Sequence, residues 1–369
     1  MKKLFTLIIL ASMTVCASAQ LADGFYRIKN AETNRYVVMY DPYMLVNKST
    51  GTVSLLALQT IYKWDNVNSH MGSVWYMENK GNSKYDLHCQ HSSLGANSEG
   101  FYPDLFENNG TYRIYGSYDG FAKYLSDEDD MYDEEGNING FVTVKSQNYL
   151  NWQFIPIGGE NYIGIKPETQ ADGYYWATFL SGFPFRLGNG MKAYYINDIN
   201  DHGFSRVEMG NEIPAKLPVL IRLNGSRPSD NVITPLTSTS AAVPSGNKMY
   251  GCWYSSNLGG SHQDWNVRYG SENRILGNAG GRLAFVKASG SDLIDGTYIE
   301  HNRGYIAVSS TADDNIIEAT YDISNSIQNM NTEDAQGKEI FTLTGQKVPE
   351  GTVLRPGIYI KDGKKIVIK

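Results

Sequence analysis

The sequence predicts an all-β protein. Three features carry that reading: a high tyrosine and glycine content, an aromatic-x-aliphatic pattern that recurs through residues 22–157, and the lack of any window with useful helical periodicity. The chain has 369 residues, 26 of them Tyr and 37 Gly. Tyr is at about twice its usual share, and Gly is near one residue in ten against roughly 7% on average. Tyrosine favours strands and glycine favours tight turns. The length suggests two or three modules, each able to bury its own core. With 41% hydrophobic and 19% charged residues, the chain is no disordered acidic tail, and its three cysteines are too few for a disulfide-stapled miniprotein. The net charge of −7 argues against nucleic acid as a partner, because a phosphate backbone needs a basic stripe.

Residues 1–19 read as an export signal. Lys2 and Lys3 form a basic start, Leu4 to Val15 form a short apolar run, and Ala17-Ser18-Ala19 offers a small-x-small cleavage site. The run falls short of the ~20 residues that a spanning helix needs, and no later segment qualifies, so the mature chain is expected to have no transmembrane helix and to be secreted or held at the outer surface. Val15 stands where lipoprotein processing at Cys16 would need a small residue. Cys89 and Cys252 remain after cleavage; they fall in different modules and are expected to stay separate and buried.

Residues 22–157 contain a threefold repeat. Tyr26-Arg27-Ile28 and Tyr112-Arg113-Ile114 match, and Trp75-Tyr76-Met77 reads as the copy between them. Each is followed, at nearly constant spacing, by a basic-aromatic pair: Arg35-Tyr36, Lys84-Tyr85 and Lys123-Tyr124. Trp64 follows Tyr36 at the same interval at which Trp152 follows Tyr124. Three units of about 43 residues are too few for a propeller and suit a pseudo-threefold barrel capped by hairpins, a β-trefoil. The module resembles the ricin-type β-trefoil, with Trp64 and Trp152 in place of the Trp near each repeat end. That resemblance implies carbohydrate binding. The family's sugar-contacting Asp and Gln are not in place in copies one and three, where Tyr62 and Leu150 occupy the Gln position.

Residues 160–310 carry short apolar runs punctuated by proline, such as Leu217-Pro218-Val219-Leu220-Ile221, and read as a β-sandwich. Tyr175-Trp176-Ala177-Thr178-Phe179, Met191-Lys192-Ala193-Tyr194-Tyr195, Ile213-Pro214-Ala215-Lys216-Leu217-Pro218-Val219 and Arg274-Ile275-Leu276-Gly277 resemble a module of Bacteroidetes-type secreted surface proteins that has no assigned chemistry. Residues 311–334 are polar and read as a linker. Residues 335–369 hold three short strands around Ile340-Phe341-Thr342, Gly357-Ile358-Tyr359-Ile360 and Lys364-Lys365-Ile366-Val367-Ile368. They resemble the C-terminal sorting domain of type IX (Por) secretion, which implies the secretion machinery as a partner.

No constellation of catalytic residues is recognisable, so no enzyme activity and no cofactor are expected. Ser245-Gly246-Asn247-Lys248 and Ser229-Asp230-Asn231 stand in the wrong order for a penicillin-recognising site. Gly188-Asn189-Gly190-Met191-Lys192-Ala193 runs into a strand where a dinucleotide fingerprint needs a helix. His88-Cys89-Gln90-His91 places its zinc-ligand types on opposite faces of a strand, with Cys89 inward beside Tyr85 and Leu87. Residues 127–135 carry seven carboxylates in nine positions without the spacing of a calcium loop, and read as a solvated hairpin tip. The remaining lead is the aromatic third repeat, where Tyr118 and Tyr124 offer stacking faces and Asp119 and Asp127 offer hydroxyl acceptors for a glycan. The expected function is a non-catalytic surface or secreted binding protein with a glycan or a protein as ligand. The alternative is a structural or protein-interaction module with no small ligand.

Overall fold

The computed structural model describes residues 20–39, 45–47, 52–90, 92–94, 103–118, 121–132, 138–143, 147–200, 203–254, 267–319, 327–329, 340–342, 346–349, 354, 357–361 and 364–368. The export signal lies outside them. The described chain is almost entirely antiparallel β-structure, in two compact bodies divided between Ile317 and Glu318.

The first body opens with a closed ring of six strands. Gly24–Asn30 pairs with Trp75–Gly81, which pairs with Lys84–Cys89. The ring continues through Asp104–Asn108 and Thr111–Tyr118 to Trp152–Pro156, which returns to Gly24–Asn30. Closure leaves the ring without a free edge. Three cross-strand pairs fill its centre: Ile28 with Phe154, Met77 with Leu87, and Leu105 with Ile114. Trp75 and Trp152 are fully enclosed in the same core.

This register corrects the sequence reading of the middle repeat. Trp75-x-Met77 is the counterpart of Trp152-x-Phe154, an end-of-repeat strand, and Tyr85-Asp86-Leu87 is the copy that matches Tyr26-Arg27-Ile28 and Tyr112-Arg113-Ile114. Both strand types read aromatic-x-aliphatic, and alternation alone does not distinguish them; pairing does. Trp64 is likewise not a ring residue but opens a short helix, Trp64–Val67. Cys89 points inward beside Tyr85 and Leu87, as its position on the strand predicts.

Residues 163–317 stack three sheets. Ile163–Gly164, Val232–Pro235, Phe185–Leu187 and Glu212–Ile213 form the first; Thr169–Ala171, Tyr174–Phe179, Val219–Leu223, Lys192–Asn200 and Gly203–Glu208 form the middle one. The third contains Met249–Gly251, Gly304–Ala307, Asn273–Ala279, Arg282–Val286 and Asn315–Ile317. The middle sheet is covered on both faces. Phe179, Val219 and Ile221 pack on Phe185 and Ile233 of the first sheet, while Trp176, Leu220 and Ile196 pack on Phe285 and Ile306 of the third. Burial on both faces explains why Val219-Leu220-Ile221 is continuously apolar rather than alternating.

Ring and stack form one body. Phe25 on the outside of the ring meets Phe183 (ring centroids 4.8 Å), the Asn302 amide donates to Gln90 Oε1 (2.6 Å), and Tyr254 enters the ring core with its hydroxyl on the Met39 sulfur (3.5 Å). Cys89 and Cys252 are separate free thiols. Burial pushes the Cys89 thiol well up, and Cys252 up to about 12, so neither is ionised at neutral pH.

The segment expected as a linker is not featureless. Asn315–Ile317 completes the third stacked sheet by pairing with Arg282–Val286. Ile327–Asn329 belongs to the second body, parallel to Lys364–Ile368. That body is a five-stranded sheet: the three expected strands, joined by Ile327–Asn329 and Lys347–Val348. Ile340, Leu354, Ile366 and Ile368 form its core.

Candidate functional site

Of the expected third-repeat site, Asp127 is not open to a ligand. Asp127 is 0% exposed, and both of its carboxylate oxygens are engaged inside the protein. Oδ2 accepts from Arg35 Nε (2.8 Å) and Thr33 Oγ1 (2.5 Å), and Oδ1 accepts from Thr60 Oγ1 (2.6 Å). It is a structural carboxylate, closed to a ligand. Tyr124 is half-buried against Tyr115 (5.0 Å) under the Arg113 guanidinium (5.8 Å). The backbone of Tyr118 pairs with Phe121, and Asp119 lies outside the described residues. Of the acidic segment, Ser126–Tyr132 forms a hairpin strand with Ile138–Thr143, and residues 133–137 are outside the description.

The structure instead brings aromatic and polar groups together at residues 61–73. Val67, Met71 and Val74 are buried and pin this segment to the cores on either side. Beneath it, Arg27 projects outward from the ring and is still 0% exposed. Its guanidinium donates to Ser73 Oγ (3.0 Å), the Asn68 carbonyl (3.2 Å), the Tyr162 carbonyl (2.9 Å) and Asn161 Oδ1 (2.8 Å). No carboxylate is among these acceptors, and burial lowers the Arg27 pKa to about 10. The same guanidinium lies 4.9 Å from the centre of the Trp64 ring, which also meets Tyr36 (5.6 Å) and Tyr162 (5.8 Å). Trp64 is thus held in place from below and from the side. Tyr62, 47% exposed, stands beside it, and a groove of about 510 Å³ runs along Tyr36, Tyr62 and Trp64 to Asp65.

Asp65 is also on the rim of a second cavity, a cleft of about 250 Å³. Its walls carry Asn66, Ser69 and His70 from this segment, Asn139 from the ring module, and Lys166 and residues 300–303 from the stack. Arg303 organises the far wall, donating to Glu168 (3.2 Å), Glu300 (3.2 Å) and the Lys166 carbonyl (3.2 Å). Glu168 also accepts from the backbone and hydroxyl of Thr178. Burial raises the Glu168 pKa against the pull of Arg303 and Thr178. At Glu300, burial also pushes upward, but Arg303, His301 and Lys166 together outweigh it and hold the carboxyl below its usual range.

His70 and His301 close the cleft as a stacked pair, ring centroids 4.0 Å apart and planes 23° from parallel. Burial, then His301, then Arg27 hold His70 well below its ordinary value. Burial lowers His301 to about 4 despite the nearby Glu300. Both imidazoles are therefore neutral at neutral pH. The site is a polar cleft beside an aromatic ledge. Sequence reading missed it because its parts are far apart in the chain; the local signal was Tyr62-Lys63-Trp64-Asp65, two aromatics and an acid in four residues.

Glu78, Asp86 and His88, on the outer face of one hairpin, place one ligand atom each within 4.8 Å of one another. Lys80 already bridges the two carboxylates (2.7 and 3.3 Å), so this group is an ion-pair network in which one cation is shared by two acids. Within the tetrad first considered for zinc, Cys89 faces the core and His91 lies outside the described residues.

No protein family matches the chain, and no curated protein matches it. Several solved structures are similar to it, among them the following two. One is SeviL bound to asialo-GM1 saccharide, 10% identical, covering 37% of this chain and 100% of that one with a TM-score of 0.23. The other is a mosquitocidal holotoxin, 12% identical, covering 88% of this chain and 37% of the toxin's with a TM-score of 0.25. Likenesses this loose leave the site to be read from its own geometry.

Proposed function

We propose that this chain is an exported, non-catalytic carbohydrate-binding protein whose six-stranded ring is the barrel of a β-trefoil. The saccharide lies on the Tyr62–Trp64 ledge and turns its hydroxyl groups to Asp65 and into the adjoining cleft. The observation that supports this most is the adjacency of the two surfaces at one residue, Asp65, which lines both. Sugar rings present an apolar face and a rim of hydroxyls, so recognition needs a flat aromatic surface next to carboxylate and amide acceptors. Asp65 is exposed and has no hydrogen bond or ion pair among the described residues. It replaces the buried Asp127 as the hydroxyl acceptor.

A glycan array probed with the full mature chain tests this reading. Asp65→Ala is expected to weaken the strongest signals about 10- to 100-fold, the loss of one charge-assisted hydrogen bond of roughly 1.5–3 kcal/mol. Tyr62→Ala should weaken them as well, with no change in thermal stability. A blank array together with a specific protein pull-down would overturn the saccharide assignment in favour of a protein-interaction module.

We also propose that residues 1–19 direct export and that residues 335–369 engage a type IX-like secretion apparatus. In a host that has such a system, the full chain should reach the cell surface or medium, and the chain lacking 335–369 should stop in the periplasm. Equal secretion of both would reject the sorting role of the tail.

A further inference from the structure

We propose that the cleft is gated by acid: protonation of the stacked His70–His301 pair releases the 61–73 segment, and with it the aromatic ledge, from residues 300–303. The gate is argued from the contacts of these two rings; that it controls saccharide binding rests on the function proposed above. One ring belongs to the ring module and the other to the stack, and their 4.0 Å stack is the contact across the end of the cleft. His70 has a second constraint. Its Nδ1 accepts a hydrogen bond from the Gly72 backbone N–H (3.0 Å), a bond that exists only while that nitrogen carries no proton. A proton there would set two donors against each other and break the turn that leads into Met71–Ser73.

The surrounding charges determine how costly protonation is. Arg27 lies behind His70 from the ring side, and Arg303 and Glu300 flank His301. Lys166 and Asp65 complete the charged lining of the cleft, while Glu168 is committed to Arg303 and Thr178. Glu300 favours a proton on His301, and the first charge then opposes a second on His70. Both imidazoles titrate below the ordinary value of 6.5, so the opened or unfolded state takes up protons first. The closed form is therefore fully stabilised above pH ~6.5 and loses that contribution as pH falls toward 4.

Hydrogen exchange on the full mature chain at pH 7.5 and 4.5, corrected for intrinsic rates, reads the gate directly. In the parent, amides of residues 64–74 and 299–303 should lose protection at least tenfold at pH 4.5, while Tyr174–Phe179 and Val219–Leu223 in the doubly covered sheet remain protected. His70→Asn with His301→Phe removes both titrating groups, keeps an oxygen that can accept from the Gly72 N–H, and should abolish the acid response; His70→Asn with His301→Tyr serves as the second variant if the first is poorly folded at pH 7.5. Unchanged protection in the parent, or the same acid opening in both variants, overturns the gate. A neutral-oligosaccharide array at the two pH values separates the two claims. Signals present at pH 7.5 and lost at 4.5 support gated binding, and signals that persist unchanged at 4.5 overturn it. An array blank at both values, with exchange still opening in acid, defeats the saccharide reading and leaves the gate.

Discussion

Arg35→Ala is expected to destabilise the first body by about 3–5 kcal/mol, the cost of leaving a buried carboxylate without its counter-charge. Arg35 and Asp127 are 2% and 0% exposed, 92 residues apart, and join the outer hairpin of the first repeat to that of the third. The packing around them has no slack. Gly140 lies where any Cβ would run into the Glu128 carbonyl and come within 2.9 Å of the Arg35 guanidinium. Chemical denaturation at pH 7 measures the loss, and a cost under about 1 kcal/mol, the range of an exposed pair, would show that the carboxylate finds another partner.

The sign of the pH dependence follows from the same site. Burial already raises the Asp127 pKa, and Arg35, Thr33 and Thr60 pull it back only in part. Without Arg35 it rises further, so the folded variant holds a proton that the unfolded chain releases. The deficit relative to the parent should shrink as pH falls toward the ordinary carboxylate range. Replacing both partners, Arg35→Met with Asp127→Leu, should cost less than Arg35→Ala alone, because no charge is left unpaired.

Arg27→Met should cost about 2–4 kcal/mol. The methionine keeps the apolar stem and removes every donor. The Asn68 and Asn161 carbonyls retain second donors, from Gly164 and Gly158. The Tyr162 carbonyl and Asn161 Oδ1 are left short of a donor, each at roughly 1–3 kcal/mol. Arg27→Lys should recover part of the loss, since an ammonium supplies three donors in place of five and lacks the planar fork. Because the guanidinium also supports Trp64 and the 61–73 segment, Arg27→Met should lose array binding even where the fold survives. Full binding by a destabilised Arg27→Met chain would show that the ledge does not depend on this cage.

Much of the architecture is legible in the residues. Tyr26-Arg27-Ile28 and Tyr112-Arg113-Ile114 are equivalent positions of the ring, and the apolar runs of 160–310 are strands. The middle repeat is misphased in the sequence reading because Trp75-Tyr76-Met77 and Tyr85-Asp86-Leu87 share one alternation, and only hydrogen-bonded register tells a first strand from a last. Asp127 reads as a surface acceptor because it opens a run of acids. Glu128 beside it does stay partly exposed, but the protein closes over Ser126 and Asp127.

The sequence by itself determined what is local and periodic. Alternation and glycine-rich turns make the chain β, and the recurring aromatic-x-aliphatic strands place Tyr26 and Tyr85 in the ring core with Tyr112 against it. Tertiary structure decided which polar groups are free. A carboxylate, an imidazole and a guanidinium look alike in a sequence whether they face water or the core. Their chemistry is set by burial and by partners from distant parts of the chain, such as Arg35 for Asp127 or His301 for His70. Only the fold that brings those partners together could exclude Asp127 and place the candidate site at Tyr62, Trp64 and Asp65.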